Sequence, residues 1–278
     1  MQLNSQAPGQ KALRREIIAG LRSESPWLPA KLHYDERGSE LFEQICEQPE
    51  YYVTRTELAI LESHAAEIAD TIGPRASVIE PGGGASRKTE LLIDALDECA
   101  GYLPIDISDS ILTIASERFI ERFPDLVVTP VHADFMSEVE FPEAAPLGDT
   151  PVVYFPGSTI GNFDPEDQQR VLASFARMAG AKGCLLVGFD RVKEVARMEV
   201  AYDDAAGVTA EFNLNVLHRL RDEFEIDVPV EHFEFCSRWN EDRQAIVSSV
   251  VATRPVTIDL DGEELSLGKG DSIRTEES

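Results

Sequence analysis

The 278-residue chain carries 51 acidic and 25 basic side chains, a formal net charge of −26. Such a charge repels phosphate backbones and anionic headgroups, which argues against nucleic acid and membrane surfaces as partners. With 43% hydrophobic residues, no run of eighteen apolar ones and no secretory pattern in MQLNSQAPGQKALRRE, a globular, cytoplasmic protein is expected.

Residues 11–61 read as helical pieces joined by polar turns. Within them Thr54 and Glu57 have the spacing of a capping box, and Leu58, Leu61 and Ala65 recur on one face beyond it. From residue 76 the rhythm becomes strand, turn, helix. A short apolar run at 77–79 ends at Glu80 and a glycine cluster, followed by a helix with Ser86 as N-cap and Leu91, Leu92, Ala95 and Leu96 as its buried stripe. Residues 102–105 lead to Asp106, then to a helix through Ile111, Ala115 and Phe119 that stops before Pro124. A third strand is expected from 126 to Asp134 and Phe135, a fourth over 152–155, and a fifth over 185–189 ending at Asp190. Asp164 as N-cap with Pro165 behind it opens the helix after the fourth strand.

Short apolar strands alternating with amphipathic helices predict an α/β protein with a parallel sheet covered on both faces. Residues 191–225 read as largely helical and 228–275 as short strands and turns, which breaks the alternation. Three segments follow: 1–61, the helical part of a second, α+β lobe; 62–192, the sheet domain; and 193–278, the remainder of that lobe.

Four features carry chemistry. The run from Glu80 through Gly82, Gly83 and Gly84 to Ser86 stands between a strand and a helix, where glycines let a ligand approach the backbone and the helix N-terminus favours polar groups. It is neither GxGxxG nor a phosphate-binding P-loop. Acids end successive strands, at Glu80, Asp106, Asp134 and Asp190. An acid in that place accepts ribose hydroxyls, and its recurrence favours a nucleoside bearing a sulfonium cation over a pyrophosphate. Residues 157–163 follow the fourth strand and include Asn162, whose amide both donates and accepts, as an amino acid's amine and carboxylate require. Tyr34, Tyr51, Tyr52 and Tyr202 offer hydroxyls for a carboxylate and ring faces for a cationic nitrogen. The four cysteines, Cys46, Cys99, Cys184 and Cys236, form no CxxC pair, and the five histidines have no HxxxH or HExxH spacing, so no metal is expected.

Read together, YDERGSELFEQICEQPEYYVTRTE (34–57), EPGGGASRKTELLIDAL (80–96), PIDIS (104–108), HADF (132–135), FPGSTIGNFDPEDQ (155–168), YDDAAGVTAEFNLNVLHRL (202–220) and RTEES (274–278) resemble the histidine-specific N-alpha-methyltransferases of ergothioneine biosynthesis. The resemblance spans nearly the whole chain in order. It implies a Rossmann-like class I methyltransferase sheet with a second, substrate-binding lobe, and S-adenosylmethionine (SAM) as cofactor. By the same resemblance Gly82, Lys88, Asp106, Asp134 and Phe135 match cofactor-binding positions, while Tyr51, Asn162 and Tyr202 match those that hold the amino-acid moiety. Tyr34 stands beside the amine, so Tyr34 and Asn162 are the residues expected nearest the reacting nitrogen, and Glu276 and Ser278 match the pair that recognises an imidazole.

Three departures accompany the match. Pro81 and Gly83 alter the glycine turn, no methionine occurs near 246–248, and the resemblance implies a further helix and two strands after the RTE motif, so C-terminal strands of the sheet are expected to be missing. Two rivals remain on sequence grounds: methylation of another amino acid such as tryptophan, and a noncatalytic relative that binds SAM or an amino acid. A nicotinamide-dependent dehydrogenase is a third, disfavoured by the glycine pattern.

Overall fold

The computed structural model describes residues 4–6, 9–83 and 87–278. In chain order the elements are β1 (Asn4–Ser5), α1 (Gln10–Leu21), α2 (Glu36–Glu47), α3 (Tyr52–Ile72), β2 (Ala76–Pro81), α4 (Arg87–Ala95), β3 (Gly101–Asp106), α5 (Asp109–Arg122), β4 (Val131–His132), β5 (Thr150–Phe155), α6 (Pro165–Ala179) and β6 (Cys184–Val187). There follow α7 (Val195–Ala201), α8 (Val208–Phe224), β7 (Phe233–Asn240), β8 (Ala245–Ala252), β9 (Val256–Asp259), β10 (Glu264–Leu267) and β11 (Ser272–Glu277). Contacts divide the chain into a sheet unit, Met1–Ala7 with Val53–Asp190, and a second unit, Pro8–Tyr52 with Arg191–Ser278. The first boundary falls at residue 53 rather than 61 because the far end of α3 packs its Ile68, Ala69 and Ile72 into the core of the sheet unit.

In the sheet unit six strands run parallel in the order β1-β4-β3-β2-β5-β6. Successive residues feed opposite faces. Ile79, Leu103, Val153 and Phe155 enter one core with Phe175 of α6. Val78, Tyr102, Val152 and Tyr154 enter another with Leu92 of α4 and Phe119 of α5. Burial on both faces is why these strands read as continuous apolar runs rather than alternating ones. From β2 the chain steps one way to β3 and β4, and from β5 it steps the other way to β6. The sheet therefore has its topological switch point between β2 and β5, outside whose carboxyl ends ligands bind in folds of this class.

Two local expectations change. The strand expected from 126 to Asp134 shrinks to Val131–His132, with only a single bridge from Val128 to Tyr102 before it. Pro130 lies between them, and a residue without an N–H cannot continue a ladder. The sheet also gains a strand: Asn4 and Ser5 pair with Val131 and His132. Gln6 clamps this edge, its Nε2 donating to the Glu140 carbonyl at 2.7 Å and its Oε1 accepting from the Glu140 amide at 2.9 Å. The cap at Asp164 forms as expected, accepting from the amides of Glu166 and Asp167 at 3.0 Å each. The cap expected at Ser86 lies outside the described residues.

The second unit joins α1, α2, α7 and α8 to a three-stranded antiparallel sheet, β11-β8-β7, and a β9–β10 hairpin. Its core takes Ile17 and Leu21 from α1, Val216, Leu217, Leu220 and Phe224 from α8, and Phe233, Val250 and Ile273 from the three strands. Asn213, fully buried on α8, ties three segments together. Its Oδ1 accepts from Thr275 Oγ1 at 2.5 Å and faces His33 Nε2 at 3.3 Å, and its Nδ2 donates to the Thr209 carbonyl at 3.0 Å. Burial lowers the His33 pKa to about 4, so this ring stays neutral and serves as packing against Phe212, 4.6 Å away centroid to centroid. Residue 275 is an extra residue in β11: pairing with β8 shifts between Arg274 and Glu276, a bulge that brings Glu276 opposite Ser248.

Candidate active site

In the sheet unit the residues expected at the cofactor lie at or just beyond the carboxyl ends of β2, β3 and β4, with Lys88 on the first turn of α4. Gly82 adopts φ +71°, a conformation that side chains with a Cβ rarely take, and a Cβ there would come within 3.9 Å of the Phe135 ring. Gly83 is required for a different reason: a Cβ would sit 2.8 Å from the Pro104 side chain and 3.0 Å from the Glu80 carbonyl. The turn that departs from the usual pattern is thus built around Pro104. Gly82 and Gly83 both donate to the Ile105 carbonyl, at 2.7 and 3.0 Å, which fastens the turn to β3.

The acids at the strand ends divide by role. Glu80 is 1% exposed and turned inward, accepting from Thr89 Oγ1 at 2.7 Å and Tyr102 OH at 2.5 Å. Burial pushes its pKa up to about 7 against the pull of those two hydroxyls, so it is a structural carboxyl rather than a ligand contact. Asp106 at the end of β3 is half-exposed as a residue, while its carboxyl is desolvated enough to reach a pKa of about 6. It accepts only backbone N–H groups, Ser108 at 2.8 Å and Ile107, and pairs with no cation among the described residues. Its remaining lone pairs suit a diol such as ribose. Asp134 is buried and accepts from the Met136 amide at 2.9 Å. Phe135 follows it, half-buried, edge-on to Phe155 and Phe163 at 5.7 and 6.2 Å, with a ring positioned against Gly82 that suits a flat heterocycle. Asp190 is exposed, and its backbone N–H donates to Ser158 Oγ at 2.9 Å.

Asn162 closes the short 3-10 turn Thr159–Asn162 after β5 and is half-buried. Gln168 of α6 holds this loop by donating to the carbonyls of Ile160 and Phe163, at 3.3 and 2.9 Å. Lys88, on the first turn of α4, is 11% exposed and donates to Glu57 Oε2 at 2.7 Å. That glutamate is the residue sequence reasoning misread. Helix α3 begins at Tyr52, so Thr54 lies inside it, and the Glu57 carboxylate reaches Lys88 and the Gly157 amide instead of capping the helix.

In the second unit Tyr34, Phe42, Tyr51, Tyr202 and Phe212 form one aromatic group. Tyr34 meets Phe42 and Phe212 edge-on at 5.8 Å each, and Tyr51 meets Tyr202 edge-on at 5.8 Å. The Tyr51 hydroxyl is held far above the ordinary phenol range, first by burial and then by Tyr202, Cys46, Glu276 and Tyr34, so it stays protonated and acts as a donor. Those influences place Tyr34, Tyr51, Tyr202 and Glu276 in one electrostatic neighbourhood. Tyr52 is set apart: its hydroxyl accepts from Lys193 Nζ at 2.8 Å and its ring lies under that ammonium and the Arg197 guanidinium, at 4.5 and 4.6 Å. Glu276 and Glu277 also separate. Glu277 is buried between Arg243 and Arg274, while Glu276 remains half-buried toward the tyrosines. Ser278 is held at the strand end by paired backbone hydrogen bonds with Ile246, at 2.7 and 2.9 Å, and its hydroxyl donates to the Glu277 carbonyl at 2.7 Å. Gly82, Lys88, Asp106, Asp134, Phe135 and Asn162 thus belong to one unit, and Tyr34, Tyr51, Tyr202, Glu276 and Ser278 to the other.

The model of the family described as histidine-specific, SAM-dependent methyltransferases matches residues 13–278. The chain belongs to this family. Among relatives of this methyltransferase, the histidine N-alpha-methyltransferase of Mycolicibacterium smegmatis is 37% identical over 96% of this chain and 84% of its own. That of Mycobacterium tuberculosis is 36% identical over 92% and 83%. A more distant relative, the 4-dimethylallyltryptophan N-methyltransferase of Claviceps purpurea, is 28% identical over 83% of this chain and 74% of its own. This SAM-dependent enzyme therefore has both of the expected features, the parallel α/β sheet and the methyltransferase family, and no described helix is long and apolar enough to cross a membrane.

Proposed function

We propose that this methyltransferase transfers methyl groups from SAM to the α-amine of L-histidine, giving the trimethylated amino acid hercynine on the route to ergothioneine. The observation that carries the substrate assignment is the grouping of Tyr34, Tyr51, Tyr202 and the half-buried Glu276, alongside relatives named for histidine.

The residues present fit the cofactor. Asp106 has a desolvated carboxylate with lone pairs to spare for the ribose, and Phe135 with Gly82 forms a flat apolar seat for the adenine. Asp134 stands beside that seat, and Lys88 adjoins the glycine turn, suited to the carboxylate of the methionine moiety. SAM supplies an activated methyl group on a sulfonium sulfur, so the protein's part is to position the nucleophile and keep water away. Tyr51, held protonated, donates to the substrate carboxylate, with Tyr202 beside it. Asn162 of the sheet unit, by the family resemblance, offers its amide oxygen to the amine, the role the resemblance also gives Tyr34 in the second unit. Glu276 accepts from an imidazole N–H, a charge-assisted bond that an indole, with its apolar second ring, cannot exploit equally. The amine's proton passes to water, since the Tyr51 hydroxyl is held protonated and the Asn162 amide has no basic group.

Mass spectrometry of the protein incubated with SAM and a pool of all twenty amino acids tests the reading. Three added methyls on histidine alone are expected. Methylation of tryptophan instead overturns the substrate, and SAM binding without any product makes the chain a binding relative.

A further inference from the structure

Glu57 is conspicuous because a single carboxylate bonds to two separate segments of the sheet unit and packs against a third. Its Oε2 accepts from Lys88 Nζ at 2.7 Å and from the Gly157 N–H at 2.8 Å, and its Oε1 occupies the space that a side chain at Gly188 would fill, 1.9 Å from a Cβ built there. Lys88 opens the helix after β2, Gly157 follows β5 and Gly188 follows β6. The ion pair thus sits over the switch point between β2 and β5, where a ligand's reactive part is held in such sheets. Both partners are largely buried, 11% and 15% exposed, so their charges are weakly screened. Beside them the Tyr154 hydroxyl is buried without a hydrogen-bond partner, with Glu57 the first charge acting on it.

The attraction of Lys88 for the methionine carboxylate is common to both forms of the cofactor and does not tell them apart, whereas positive charge left uncompensated at this place would repel a sulfonium and not a neutral thioether. SAM and S-adenosylhomocysteine (SAH) differ by that one charge and one methyl. We infer that Glu57 is a specificity-determining positioning residue: by neutralising Lys88 over the switch point it lets the site accept the sulfonium cofactor in preference to its thioether product. This rests on the SAM-dependent reading above and adds to it a reason why product is released. The Gly157 contact gives Glu57 a second duty, holding the start of the loop that carries Asn162, and a glutamine at 57 retains that acceptor while losing the charge.

The test is isothermal titration calorimetry of the 278-residue protein with SAM and with SAH, for the wild type, Glu57→Gln and Lys88→Met, with thermal melts to establish folding. The readout is the ratio of the two dissociation constants, which a merely structural role leaves unchanged. Glu57→Gln is expected to weaken SAM about tenfold, equivalent to about 1.4 kcal/mol, while SAH changes less than about threefold. Lys88→Met, which leaves the carboxylate unpaired, is expected to move the ratio the opposite way, toward SAM, whatever it does to overall affinity. Parallel changes in SAM and SAH in both variants overturn the inference while leaving the methyltransferase reading standing. Failure of the wild type to bind either ligand overturns both. If Glu57→Gln does not fold, the direction of the Lys88→Met shift decides alone.

Discussion

The buried Glu80 makes stability depend on pH in a direction opposite to that of an ordinary surface carboxylate. Its pKa is about 7 in the folded chain against 4.5 for the unperturbed group, so between those values the folded state holds a proton that the unfolded state has released. Folding then takes up a proton, and stability falls as pH rises through that window. Integrating the linkage from pH 5 to pH 8 gives a loss of about 2 to 3 kcal/mol from this one group. Glu80→Gln removes the titration while keeping an acceptor for one of the two hydroxyls. Asp106 is also raised, to about 6, and acts on Glu80 through its charge, so the difference between wild type and variant reports Glu80 together with that coupling. Urea unfolding followed by far-UV circular dichroism at pH 5, 6, 7 and 8 is the assay. The expected result is that the variant gains on the wild type by about 2 to 3 kcal/mol across the series. Parallel pH profiles would refute the placement of a desolvated carboxyl under the Tyr102 and Thr89 hydroxyls.

Three further outcomes follow from the same geometry. Glu276→Ala should raise the KM for histidine tenfold or more, on the order of 1.4 kcal/mol, while the Kd for SAM measured by calorimetry stays within about twofold. Because Asp106 titrates near 6, SAM affinity should fall as pH drops below that value, and Asp106→Asn should abolish the dependence while weakening SAM by about ten- to a hundredfold. Phe119→Ala empties a fully buried site packed 4.4 Å from the Tyr102 ring and should cost about 3 to 5 kcal/mol in urea unfolding, without altering the SAM/SAH ratio in the fraction that folds.

Much of the sheet unit was legible because its strands are buried on both faces and each ends at an acid or a glycine turn. The elements that escaped were those whose cause is not local. Asn4 and Ser5 form a strand only because β4 offers an edge, and two residues carry no periodicity. Glu57 has the spacing of a capping glutamate, yet a buried lysine and a backbone amide claim its carboxylate, a tertiary preference that no window around Thr54 contains. Glu80 and Asp106 both end strands, and only burial separates a structural carboxyl from one with free lone pairs. In the second unit the tyrosines were legible through resemblance rather than pattern. Any one of them reads equally well as core, and the difference between Glu276 and Glu277 rests on a bulge and two arginines.

The amide of Asn213 has a consequence for how the protein is made. It joins a turn near residue 33 to strand β11 near residue 275, and the backbone does the same where the Leu28 N–H donates to the Arg274 carbonyl and the Arg274 N–H to that of Pro26. During synthesis the amino-terminal part of this unit emerges first but finds its partners last, after the entire intervening sheet unit has left the ribosome. The apolar side chains of Ile17, Ile18, Leu21, Leu28 and Leu32 must wait uncovered through that interval. A nascent chain released before residue 272 would keep the strands that hold Asp106 and Phe135 yet lack the closure that brings Glu276 to Tyr51. Expression of this enzyme should therefore be more sensitive to chaperone supply and growth temperature than a contiguous domain of equal stability.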